Sequence, residues 1–95
     1  MNGGFVVDGD RWRFDGELSF DDATPVLAAA ASLPRPASGV VDLSGCSHAD
    51  SAALAVLLAL RRRASAERRH LSFASVPPML DSLARVYGIE DILAS

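Results

Sequence analysis

The chain has 95 residues, 49% of them apolar, and a net charge of −3. That length predicts one domain with one core; no apolar run approaches the ~18 residues of a bilayer span, and the acidic balance argues against a general nucleic-acid binder. The single cysteine, Cys46, excludes an internal disulfide and fits a reducing, cytoplasmic compartment, and Met1-Asn2-Gly3-Gly4 carries none of the basic and apolar character of a secretory signal.

Phe5-Val6-Val7 and Arg11-Trp12-Arg13-Phe14 read as two short strands joined at Asp8-Gly9-Asp10, whose residues suit a tight turn. Trp12 and Phe14 alternate with Arg11 and Arg13, which predicts one buried and one wet face. Gly16-Glu17-Leu18 then leaves the second strand. Asp21, Asp22 and Thr24 before Pro25 suit the first turn of a helix running to about Leu33. Residues 34–39 form a breaker-rich loop. Val40 to Leu43 is a short apolar strand, followed by a polar loop and a second helix from about Ser51 to Ala66. Leu71 to Ala74 is a fourth strand. Val76-Pro77-Pro78 opens a third helix to about Tyr87, with Gly88 suited to end it, and Ile89 to Leu93 makes a terminal turn. This order predicts an α/β domain over residues 1–95, with a mixed four-stranded sheet packed against three to four helices.

On a helical wheel, Ala53, Leu54, Leu57, Leu60 and Ala64 share the side that should face the sheet. The other side carries Ala52, Ala55, Ala59, Arg62 and Ala66, with Ser51 at its upper edge. That face is small and weakly apolar, unlike the charged back of an ordinary surface helix. It suits close approach by a partner, and also self-association, although alanine is a good helix former in its own right. Asp50 or Ser51 caps this helix, since either side chain can accept a first-turn N–H. A phosphate on Ser51 would add bulk and nearly two charges beside Asp50 and oppose docking. Tyr87 is expected to pack on the sheet, and Met79 and Leu80 to join the core.

Three sharper chemistries are weaker. His48, Asp50 and Ser51 contain the residue types of a hydrolytic triad. Three neighbours in one loop rarely reach its geometry, and no nucleophile elbow is present. Cys46, His48 and Asp50 alternate, yet match no structural zinc spacing. No cofactor motif is apparent. All nine basic residues are arginine, and five lie between Arg61 and Arg69. Cations there complement the C-terminal end of the second helix, or meet an acidic partner or membrane headgroups. The segment has no aromatic residues for stacking on nucleic acid.

The early hairpin, Gly16-Glu17-Leu18, Val41-Asp42-Leu43-Ser44, and Asp50-Ser51 opening an apolar helix together resemble STAS domains over nearly the whole chain. The likeness is greatest to the MlaB branch, short subunits of Mla phospholipid-transport systems. Residues 53–60 resemble the second helix of that branch, and residues 83–89 its last helix. The resemblance implies a non-catalytic binding module that docks on a cytoplasmic ABC ATPase and meets the membrane only through that partner. Ser51, Ala52, Ala55, Ala59 and Arg62 would form the contact. In anti-sigma factor antagonists, the second branch the chain resembles, the serine matching Ser51 is phosphorylated by an anti-sigma factor kinase. The family places small residues including glycine after this position, where the chain has Ala52 and Ala53.

Overall fold

Strand β1 (Gly4–Asp8) and strand β2 (Arg11–Leu18) form an antiparallel hairpin across the two-residue turn Gly9-Asp10. In the computed structural model, which describes residues 3–94, Phe5 pairs with Phe14 and Val7 with Trp12. The expectation drawn from Met1 and Asn2 therefore falls outside the described residues. Trp12 and Phe14 are buried while Arg11 and Arg13 are half-exposed, as the alternation requires. The Phe5 and Phe14 rings meet edge-on at 5.0 Å. The Trp12 indole donates to the Pro34 carbonyl at 2.8 Å, so its polar edge is satisfied inside the core.

Helix α1 (Phe20–Ala30) begins five residues before Pro25, which corrects the expectation of Pro25 at its first turn. Two contacts fix the earlier start. Ser19 Oγ donates to the buried Asp22 carboxylate at 3.0 Å, and the Phe20 N–H donates to Asp50 Oδ2 at 3.0 Å. Pro25 then lies in the second turn, where it removes one i→i−4 bond. A tail of i→i+3 bonds continues to Leu33.

Strand β3 (Val40–Ala49) runs through the stretch read as a polar loop. Ser44 to Ala49 stay in the sheet because β2 also continues, to Leu18. The two strands pair in parallel as far as Leu18 with Ala49, with register shifts at Arg13/Asp15 and Gly16/Glu17. Such bulges break the strict two-residue alternation, and the sequence pattern there loses its period for that reason. Helix α2 (Ser51–Ala66) follows directly, and strand β4 (Ser72–Ala74) pairs in parallel with β3. The sheet order is β1-β2-β3-β4.

Helices α1 and α2 pack on each other, as two successive right-handed crossovers on one face of the sheet require. Ala53, Leu54, Leu57, Leu60 and Ala64 are buried as predicted, together with Val56. Each fully buried leucine or valine contributes about 1.5–3 kcal/mol. Helix α3 (Pro78–Val86) and the short helix α4 (Glu90–Ala94) close the layer. Opposite, Arg13 bridges Asp8 at 3.1 Å and Asp15 at 2.9 Å on solvated ground. No helix among the described residues is long and apolar enough to cross a membrane.

Candidate docking site

Because β2 and β3 are parallel neighbours, their C-terminal ends bring the starts of α1 and α2 side by side. Asp50 occupies the junction. Its Oδ1 accepts the Ala52 N–H at 2.9 Å and its Oδ2 accepts the Phe20 N–H at 3.0 Å. One carboxylate thus caps α2 and also pins the first residue of α1, where helix dipoles favour a negative charge. Of the two candidate caps, Asp50 takes the role, and Ser51 becomes the first helical residue. Ser51 is exposed, and its hydroxyl makes no hydrogen bond to the described residues.

Ser51 borders an open, mostly apolar groove lined also by Leu54, Ala55, Leu58, Tyr87 and Ile89. Ala55 and Arg62 are exposed along the same helix, whereas Ala52 and Ala59 are half-buried. Arg62 lines a second depression with Arg61, Ser65 and Asp91, and Leu58 joins the two. The small face read from the wheel is therefore narrower than the spacing suggested, because α1 and α3 both pack along α2.

Tyr87 corrects the expectation that it would pack on the sheet: it is 59% exposed. The cause is the way α3 ends. Gly88 adopts φ +70°, the Gly88 N–H donates to Arg85 O at 3.1 Å, and the Ile89 N–H donates to Ala84 O at 2.8 Å. This left-handed cap turns the chain so that Ile89, and not Tyr87, packs against the core. Met79, also assigned to the core, is 38% exposed beside the fully buried Leu80. Phe20, at 79% exposure, was not singled out from the sequence. Its backbone is tied to Asp50, so an aromatic side chain stands at the same end of the molecule as Ser51. The available signal was an aromatic directly after the Ser19 cap, where no core-facing period demanded one.

The other candidates serve structure. Asp50 serves two helix N–H groups, and among the described residues no hydrogen bond joins the His48 ring to Asp50 or Ser51, so the triad geometry is not assembled. His48 is exposed on β3, and its carbonyl accepts the Cys46 thiol at 3.6 Å. Burial pushes the Cys46 thiol above its ordinary pKa. Among the described residues no cluster of three His, Cys, Asp or Glu could hold a metal. Asp42 accepts the Ser44 N–H at 2.8 Å within β3, which holds its carboxyl below the ordinary value. In the arginine cluster, Arg63 donates to Leu27 O on α1 at 3.2 Å. Arg35 grips Glu67 with two bonds, of 2.9 and 3.0 Å, tying the α1–β3 connection to the end of α2.

The family described as "Mlab, STAS domain" matches residues 8–94. No curated protein matches the chain. Two crystal structures of Mglu superpose on it with TM-scores of 0.54 and 0.55, at 22% and 18% identity. Each covers 78% of this chain, which spans only 19% and 23% of theirs, so the likeness concerns the fold alone. An uncharacterized protein of the DUF3478 family from Shewanella loihica PV-4, described as having a SpoIIAA-like fold, aligns at 18% identity. That alignment covers 90% of this chain and 75% of that one, with a TM-score of 0.39.

Proposed function

The chain belongs to the STAS family in its MlaB form, and on that premise we propose that it is a non-catalytic docking subunit of a cytoplasmic ABC ATPase in phospholipid transport. The observation that carries this reading is the apolar groove with the unbonded Ser51 hydroxyl on its rim. Exposed apolar surface suits a protein partner; Tyr87 on the groove and Phe20 at the same end of the molecule supply the aromatic anchors that such interfaces favour. The contact comprises Ser51, Ala55 and Arg62, the half-buried Ala52 and Ala59, and Phe20 and Tyr87. The site lies beyond the C-terminal ends of β2 and β3, where α/β sheets commonly place their ligands. Such a subunit acts by binding one state of the ATPase more tightly than another.

The exposed Ser51 hydroxyl also favours a second reading, an anti-sigma factor antagonist released when a kinase phosphorylates Ser51. Affinity capture from the native cell, with wild type beside Ser51→Glu and Ala55→Glu, separates the two. An ABC ATPase held by wild type and lost from both variants supports the transport role. A kinase-like anti-sigma factor, with phosphate on wild-type Ser51, favours the second reading. An ATPase retained equally by both folded variants removes Ser51 and Ala55 from the contact.

A further inference from the structure

The end of the molecule opposite Ser51 carries a further recess. It lies between the connection into β3, residues 35–39, and the connection into β4, residues 69–71. Its volume is about 240 Å³, below the roughly 300–1,000 Å³ of sites for drug-sized molecules. Arg35, Arg69 and His70 line it. We propose that this recess binds a phosphoryl group, held by Arg35, Arg69 and His70.

Three features of the backbone build the recess. Arg68 is held at φ +57°, a conformation uncommon outside glycine. It turns the chain so that the Arg69 N–H can donate to Ala64 O at 2.8 Å. Gly39 lies so close to the other connection that a Cβ there would sit 2.5 Å from the His70 carbonyl oxygen. The two connections therefore approach as closely as glycine allows, and the side chains flanking that approach converge. Strained backbone persists where its surroundings fix it, often at binding sites.

The charges favour an anion. The Arg69 and His70 side chains make no hydrogen bond to the described residues. Arg35 spends only Nε and Nη2 on Glu67, which leaves N–H donors on its guanidinium. Glu67 is the carboxylate at hand, and it is already bound by Arg35 and drawn on by Arg69. The negative end of α2 is muted here, since its last carbonyls accept the Glu67, Arg68 and Arg69 N–H groups. A phosphoryl group suits this donor set because it accepts several charged hydrogen bonds at once. The same chemistry could come from a soluble phosphate compound or from a phospholipid headgroup.

The test is titration with inorganic phosphate, followed by the His70 ring resonances and by thermal melting against chloride at equal ionic strength. Saturable shifts in both are expected, with binding roughly tenfold weaker in Arg69→Gln and in His70→Gln. Glu67→Gln should bind phosphate more tightly, because it releases Arg35. Each variant alters an exposed side chain, and its melting without phosphate verifies the fold. Co-sedimentation with phosphatidylcholine vesicles containing phosphatidylglycerol, and not with phosphatidylcholine alone, would identify a lipid source if Arg69→Gln abolishes it. Phosphate binding without co-sedimentation would identify a soluble source. No saturation by phosphate, or binding unchanged in both Arg69→Gln and His70→Gln, overturns the proposal.

Discussion

Arg68 holds a position that glycine normally fills. It follows the last residues of α2 at φ +57°, and the Arg68 and Arg69 N–H groups close the helix onto Ser65 and Ala64. A side chain costs about 1 kcal/mol or more in that region, and glycine relieves it. Arg68→Gly is therefore expected to stabilise the fold by about 0.5–1 kcal/mol, despite glycine's freer unfolded chain. Scanning calorimetry should register this as a rise of a few degrees in Tm. Asp42 makes the opposite kind of contribution. Its carboxyl is held below the ordinary 3.8 first by the Ser44 N–H, then by the Ser44 hydroxyl and, at longer range, by Arg11 and Arg13. A carboxyl depressed in the folded state adds stability that is present above its unfolded pKa. That stability is lost as pH falls through the folded pKa. The Tm gap between wild type and Asp42→Asn should thus be constant above about pH 5 and close as the medium is acidified further. A gap independent of pH would remove the charged contact as its cause.

At the scale of elements, one side chain joins two helices. Asp50→Ala removes the α2 cap, worth about 0.5–2 kcal/mol, and also leaves the Phe20 N–H at the start of α1 without its partner. Asp50→Asn keeps one acceptor and so should lose about half as much in urea denaturation. Amide exchange in Asp50→Ala should quicken at the first turns of both helices; faster exchange confined to α2 would show that the link to α1 carries nothing. Helix α2 was legible in the sequence to the residue, because Asp-Ser preceded an unbroken apolar period. Strand β3 was legible only to Leu43. Its second half pairs across bulges, so the side chains of Ser44 to His48 lose the alternation by which a half-buried strand is recognised. Tyr87 failed for a related reason. As an aromatic at the end of α3 it is expected on the sheet, yet the turn at Gly88 carries Ile89 inward and leaves Tyr87 exposed. Local period cannot foresee which of two neighbours a helix cap turns inward.

Across the whole molecule the two ends of α2 differ in kind. The N-terminal end has an apolar groove lined by Ser51 and the exposed Tyr87, with exposed Phe20 at the same end; at the C-terminal end Arg35, Arg69 and His70 line a recess of mixed polar and apolar character. One face of the sheet carries the helices, and the charged opposite face lines neither recess. Exposed side chains contribute little to folding, and substitutions there usually change stability within about 0.5 kcal/mol. Phe20→Ser and Tyr87→Ser should therefore leave the melting curve almost unmoved while reducing capture of the protein partner, the more so in combination. Phosphate titration of the same double variant should match wild type, because the substituted groups stand at the other end of α2. Arg69→Gln should show the reverse, full partner capture with weakened phosphate binding. Measuring both ligands on both variants makes the separation quantitative, since distant independent sites give additive effects. If Phe20→Ser with Tyr87→Ser melts much earlier than wild type, those aromatics serve the core and the docking assignment loses its anchors. If it folds normally and still captures the partner at full strength, the contact lies elsewhere on the surface.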